Sequence, residues 1–281
     1  MAPAKSTDAK DLIKGGVLQC LEAITVGMPF EVWKTHMGTF RNEGTMEAFR
    51  NIYKTNGVAS FWKGWQPKMV ESFLKGGILL YAKEGIINSS KSMGVSNITA
   101  GLLGGFGGGV AQVTVMGPCT YLVTAAVTSK EKMSFFERAR VTFQTRGIGG
   151  FYQGGTALML RQGSNWASRQ GLTDLVRDSL KKTHGGDPAS TKLSMTEEAV
   201  AGTIGGALST WNQPFEVMRI EAQASAARGL PPRNIMQTCS LIVRENGLLG
   251  LFQGVLPRMG LCVGQTLFMV TIPHILKDMG L

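Results

Sequence analysis

No charged residue occurs from Ser92 to Ser129, a Gly-rich apolar run longer than the roughly 20 residues that cross a bilayer. Around it, apolar residues recur at helical spacing and predict long helices over residues 11–37, 67–87, 97–129, 156–182, 196–224 and 257–279. Each pair of long helices brackets a short amphipathic segment. In the first, 45–53, Met46, Phe49, Ile52 and Tyr53 share one face; the others cover 134–145 and 234–245. Asn56-Gly57 ends the first short helix, Pro67 sits at a tolerated helix start, and 184–194 and 226–232 read as polar connectors. Pro29, Pro118 and Pro214 fall inside three of the long helices. A proline there removes a backbone hydrogen bond and crowds the preceding turn, so a bend is expected at each.

The elements repeat in the order long, short, long, and the residues repeat with them. Pro29-Phe30-Glu31-Val32-Trp33-Lys34 returns as Pro214-Phe215-Glu216-Val217-Met218-Arg219, and midway as Pro118-Cys119-Thr120-Tyr121-Leu122-Val123, without the acid and the base. Trp62-Lys63-Gly64, Tyr152-Gln153-Gly154 and Phe252-Gln253-Gly254 follow the prolines, the glycines lying 35, 36 and 40 residues on. One domain over 1–281 is therefore expected, built from tandem units over about 9–90, 95–184 and 195–279.

A mean hydropathy of +0.05 with 17% charged residues is apolar for a water-soluble chain. Glu71, Lys75, Arg161, Arg169 and Arg258 nevertheless fall inside long apolar helices. Lipid does not tolerate such groups, so they face a watery cavity or one another. The formal charge of +10 is scattered and not interleaved with stacking aromatics, which excludes a nucleic-acid groove and points to anionic lipid heads. Cys20, Cys119, Cys239 and Cys262 have no metal spacing and are expected as free thiols. The three histidines are scattered and no nucleophile has a recognisable base partner, so neither enzyme, cofactor nor metal is expected. Met1–Lys14 has no apolar signal core and no arginine, and targeting is expected to be internal.

The hexamer of proline, acid and base, twice complete and once degenerate, with three in-phase glycine signals, resembles the mitochondrial carrier family over about residues 9–279. The resemblance implies an all-α membrane protein of the mitochondrial inner membrane, with six transmembrane helices around a central cavity, working by alternating access. It implies a matrix gate of Glu31, Lys34, Glu216 and Arg219, in which Lys34 with Glu216 is the one inter-repeat bridge left, since Thr120 and Val123 offer no countercharge. A cytosolic-side gate follows in phase on the even helices: Glu84, Asp174 with Arg177, and His274 with Lys277, of which only the middle pair is complete. Cardiolipin is implied at the turns of Gly64, Gly154 and Gly254.

The same phase places Glu71, Lys75, Leu79, Arg161, Gln162 and Arg258 at mid-cavity, a predominantly positive set that calls for an anion. Arg161-Gln162 resembles the pair of carboxylate carriers, and an arginine fork matches a carboxylate with two parallel hydrogen bonds. With Asn165-Trp166 and Trp211-Asn212-Gln213-Pro214, the set is similar to the fungal citrate and oxoglutarate subgroup. The implied function is antiport of di- and tricarboxylates, citrate for 2-oxoglutarate. Plainer roles stand beside these. Lys75, four residues after Glu71, is placed for a structural ion pair; Arg258, after Pro257, for a lipid phosphate; Arg169 for a lipid head; His274 for solvent. The neutral second hexamer and incomplete outer gate also suit a carrier fold kept as a structural subunit of another inner-membrane complex.

Overall fold

The computed structural model describes residues 9–129, 133–183 and 193–278, and every regular element among them is helical. α1 (Ala9–Glu22) runs through a π-type turn, Ala23–Gly27, into α2 (Met28–Thr39). α3 (Thr45–Asn56) lies beyond its end, and α4 (Trp65–Ser92) returns. The second unit repeats this with α5 (Asn97–Ala111), α6 (Val113–Thr128), α7 (Phe135–Arg146) and α8 (Gly155–Thr183). In the third, α9 (Met195–Leu208) passes through a 3-10 turn, Ser209–Asn212, into α10 (Gln213–Ala227), followed by α11 (Ile235–Asn246) and α12 (Val255–Asp278). The expected connector 184–194 lies largely outside the described residues.

Regular α-helix is interrupted not at the prolines but before them, at Ala23–Gly27, at Gln112, where α5 and α6 meet at 44°, and at Ser209–Asn212. Each proline lacks the N–H that would reach back four residues, and its ring pushes that carbonyl aside, so the strain is released in the turn before the ring. In all three copies the residue four places back is a threonine: Thr25, Thr114 and Thr210. Its hydroxyl donates to a carbonyl of the preceding turn, Leu21, Ala111 and Ala207, at 2.7, 2.9 and 2.7 Å. Such back-bonding itself bends helices.

Packing closes a ring. α1 touches α4, α4 touches α5, and the order continues through α8, α9 and α12 back to α1. Below the bends, α2, α6 and α10 contact one another pairwise, so the bent halves converge on the ring axis at the end carrying α3, α7 and α11. The apolar core concentrates there: Met28, Val32, Ile52 and Phe61 of repeat one pack on Val123 and Val127 of repeat two, while Tyr121, Leu122 and Ala125 cluster with Ala226 of repeat three. α4 and α8, at 28 and 29 residues, are each about 42 Å long, enough to cross a bilayer. No single described helix is long and apolar enough to cross a membrane; two bent pairs, 99–128 and 235–269 with a bend of 115°, reach that length and composition only when taken together. The reason is visible in α4, whose Lys68, Glu71, Lys75, Lys83 and Glu84 lower its hydropathy.

Gly64, Gly154 and Gly254 fix the ring's closure. Each has positive φ (79°, 71° and 76°) at the entry to an even long helix, a conformation side chains resist. Each also lies against the backbone of the next repeat: a Cβ would stand 3.0 Å from Val123 Cα, 3.1 Å from Arg219 O and 3.1 Å from Lys34 O. Those three contacts are the last residues of the three hexamers. Gly254→Ala combines a left-handed alanine, costing about 1–2 kcal/mol, with this collision. A lowered unfolding midpoint in detergent is the expected outcome, whereas Gly44→Ala, with open space around its Cβ and negative φ, leaves the midpoint nearly unchanged.

Candidate functional site

Where α2, α6 and α10 converge, a buried polar network crosses the axis. Glu216 of α10 is fully buried and faces three cations, one from each repeat. Lys34 Nζ lies 2.7 Å from it and Arg219 donates to both of its oxygens at 2.9 and 3.0 Å. Arg161 Nε lies 3.1 Å away, an ion pair that misses hydrogen-bond alignment. Lys34 also reaches Glu31 at 3.0 Å. Lys68 of α4 then links Glu31, at 3.4 Å, to Glu71, at 3.0 Å. Toward repeat two the partners are neutral: Arg219 donates to Gln223 Oε1 at 2.5 Å, Gln223 donates to Thr120 Oγ1 at 3.0 Å, and Thr124 donates to Gln223 at 3.0 Å.

Above the network lies a cavity of about 440 Å³, into which all three repeats project. It runs upward past Lys75 and Leu79 to Lys83, twelve residues and about 18 Å along α4 from Glu71. Eight cations and four glutamates line it, a formal net charge of +4. Arg258 is held by amide oxygens, Gln213 at 3.0 Å, Asn165 at 3.4 Å and Asn212 closer still. Asn212 in turn donates to the Arg161 carbonyl at 3.2 Å and to Ser164 at 3.1 Å. Arg161 donates to Gln162 at 2.8 Å, and Gln162 to Gln112 at 2.9 Å. Gln112, at the break between α5 and α6, donates to the Lys75 carbonyl at 2.7 Å and accepts from Trp166 at 2.8 Å. This chain of amides fixes the rotamers of the arginines before any ligand arrives.

The family model described as mitochondrial carrier protein matches residues 5–92, 94–184 and 191–279, three times in tandem. The chain belongs to the mitochondrial carrier family. Members of this family are transporters, so the carrier is not an enzyme, and it is a multi-pass protein of the mitochondrial inner membrane. Among curated proteins it is similar to the citrate/oxoglutarate carrier protein of Saccharomyces cerevisiae, 34% identical over 98% of this chain and 91% of that one. The mitochondrial tricarboxylate transport proteins of Bos taurus and Homo sapiens are each 27% identical over 95% of the carrier and 89% of their own length.

All six residues expected at mid-cavity, Glu71, Lys75, Leu79, Arg161, Gln162 and Arg258, line the carrier's cavity, and Glu31, Lys34, Glu216 and Arg219 line its floor. Three expectations need correction. Lys34–Glu216 is present but is not the one inter-repeat bridge: Arg161–Glu216 joins repeats two and three, and Arg41 joins repeat one to three through Glu221 at 2.6 Å and Glu245 at 2.7 Å. Glu71 pairs with Lys68 rather than Lys75, because Lys68 also meets Glu31 and a cation between two carboxylates gains from both. Arg258 is 3% exposed and turned toward the ring interior, not toward a lipid phosphate.

Two of the residues expected at the other end have described side chains. Glu84 is exposed, and Arg177 donates to Glu198 of α9 at 2.9 and 2.7 Å. The side chains of Asp174, His274 and Lys277 lie outside the described residues.

Sequence reasoning overlooked Glu22, Lys68, Gln112 and Arg41. Lys68 was findable, lying three residues before Glu71 on the same face. Glu22, seven residues before Pro29, shares a helix face with the hexamer's proline. Arg41, beyond the end of α2, carried no periodic signal. Glu216→Gln leaves three cations facing one another in buried space, and a loss of about 3–5 kcal/mol of unfolding free energy is expected. Thermal unfolding in detergent checks this against Glu245→Gln, whose half-exposed carboxylate contributes at most about 1 kcal/mol.

Proposed function

We propose that the carrier crosses the inner membrane with six helical spans and exchanges di- and tricarboxylates, citrate for 2-oxoglutarate, by alternating access. The spans are α1 with α2, α4, α5 with α6, α8, α9 with α10, and α12. The observation that carries the substrate reading is a set of mid-cavity cations without a carboxylate partner. Among the described residues Lys75 makes no ion pair, Arg258 is met by amide oxygens and Arg169 donates to the Thr266 hydroxyl at 3.4 Å. A polyanion supplies the missing countercharge, and the names of the relatives, a citrate/oxoglutarate carrier and tricarboxylate transport proteins, support the same class. Glu71, Lys75, Leu79, Arg161, Gln162 and Arg258 are then the substrate contacts.

Glu31, Lys34, Glu216 and Arg219, with Lys68, form the closed matrix gate of this conformation, and the cavity faces the cytosolic side. Arg161 couples the two levels: its guanidinium lies against both Glu216 and Gln162, so a substrate carboxylate that takes it weakens the hold on Glu216. A bistable polar network of this kind is what alternating access needs. The complementary gate on the even helices, with Glu84, Asp174, Arg177, His274 and Lys277, assembles when the cavity faces the matrix. Cardiolipin phosphates bind at the turns of Gly64, Gly154 and Gly254, where the first amides of α4, α8 and α12 lack helix partners. The rival role as a structural subunit takes its motive from the neutral second hexamer. Thr120, Thr124 and Gln223 satisfy that position by hydrogen bonds, and the pre-set arginines favour transport.

Uptake of labelled citrate into liposomes holding the purified carrier and internal 2-oxoglutarate tests this reading. Rapid uptake is expected with internal 2-oxoglutarate and none with buffer alone. Arg161→Ala loses a charged hydrogen bond worth about 1.5–3 kcal/mol, so uptake should fall about 10- to 100-fold. Uptake with no internal anion, or an undiminished Arg161→Ala rate, contradicts the proposal.

A further inference from the structure

Three of the cavity's four carboxylates belong to one repeat: repeat one contributes Glu22, Glu31 and Glu71 together with Lys34, Lys68, Lys75 and Lys83, while repeats two and three contribute Arg161, Arg169, Arg219 and Arg258 with Glu216. On the repeat-one wall three buried oxygens have no hydrogen-bond partner among the described residues: Gln19 Oε1, Glu22 Oε1 and Glu71 Oε2. Glu22 and Glu71 are 3% and 1% exposed, so neither carboxylate relies on bulk water. Gly27, across the π-type turn, leaves room for the Glu22 head; a Cβ there would stand 3.2 Å from its Oε1.

An acceptor buried without a donor is costly, and three on one wall call for a ligand that brings one. Ionised carboxylates and keto oxygens are acceptors and do not satisfy such a wall. A hydroxyl does. We infer that the repeat-one wall reads a hydroxyl hydrogen-bond donor on the substrate, with Glu22 as a specificity-determining residue, so that the carrier distinguishes hydroxy-polycarboxylates from their deoxy counterparts. This rests on the carboxylate reading above. The arginines of repeats two and three, with Lys75, bind the carboxylates that all such substrates share, while Glu22, Glu71 and Gln19 sense the hydroxyl. A pre-formed polar site discriminates strongly against an analogue that leaves its groups unpaired.

Citrate and propane-1,2,3-tricarboxylate carry the same three carboxylates and differ by one hydroxyl, which makes them the probe pair. Homoexchange of each in liposomes gives a KM ratio that cancels reconstitution yield. The wild-type carrier is expected to favour citrate about 10-fold. Glu22→Gln keeps a carbonyl acceptor and most of that preference, whereas Glu22→Leu brings the ratio close to one; a role through charge alone would make both variants behave alike. Should Glu22→Leu fail to fold, Gln19→Leu, which removes a neighbouring acceptor, is expected to lower the ratio to about 3. A wild-type ratio near one with brisk uptake of both acids overturns this inference alone, as does an unchanged ratio in a folded leucine variant. Absence of uptake of either acid by the folded wild-type protein overturns the carboxylate reading with it.

Discussion

Three cations converge on one buried carboxylate. Glu216 is the sole anion that Lys34, Arg161 and Arg219 have in common among the described residues, and those cations come from three different repeats. Removing such groups from water costs several kcal/mol per ion, recovered only when every charge finds an opposite. The convergence of α2, α6 and α10 therefore depends on Glu216: without it, three positive side chains would meet on the axis. The proline-directed bends bring the helices there, the glycine contacts set how closely they approach, and the carboxylate makes the approach favourable. Counting the floor as Lys34, Lys68, Arg161 and Arg219 against Glu31, Glu71 and Glu216 leaves one positive charge in excess. The closed end thus retains a demand for an anion, and a cavity filled by one relieves it.

The repeat is threefold in backbone but not in chemistry. Gly64, Gly154 and Gly254 each meet the last hexamer residue of the next repeat, closing the ring with equal geometry. Polar locks are uneven. The seam between repeats three and one holds Lys34–Glu216 and the Arg41 cluster with Glu221, Glu245 and Asn246. The seam between two and three holds Arg161–Glu216 and the Thr120, Thr124 and Gln223 hydrogen bonds. Between one and two the convergent end is apolar, Met28 and Val32 on Val123 and Val127. Loss of the acid and base from the second hexamer is thus not an empty position. Threonine hydroxyls and one glutamine satisfy Arg219 there, and a network with fewer charges needs fewer countercharges when it opens.

Much of this was legible in the chain. The hexamers, the glycine signals and the alternation of long and short helices located the long helices within a few residues, because each carries a local physical cause. Pairing was the harder part. Glu71 has Lys68 three residues before and Lys75 four residues after, both on its face, and nothing local chooses between them; the choice is made by Glu31 on another helix. Arg41 and Arg161 escaped notice as bridges for the same reason, since their carboxylates are contributed by repeat three. The helix interruptions lie before the prolines because the rule describes what a proline forbids at its own nitrogen. The relief falls wherever the preceding turn yields most easily, here beside Thr25, Thr114 and Thr210.

Charges within the cavity are unevenly paired. If acids and bases alternated around the ring, each would neutralise its neighbour and the centre would present little field. Lys68 shows the local version, sharing itself between Glu31 and Glu71 within repeat one. Arg258, held by neutral amides on the opposite side, keeps its charge uncompensated while its geometry is fixed by Asn165, Asn212 and Gln213. Amide oxygens orient a guanidinium without neutralising it. The carrier therefore holds Arg258 rigid and still electrostatically available, while Glu22 and Glu71 each keep one oxygen in reserve. An anion entering this cavity meets cations on every side, and on the repeat-one wall it meets unpaired acceptor oxygens as well. A group that donates a hydrogen bond is favoured against those oxygens over a bare carboxylate, which biases how the anion turns.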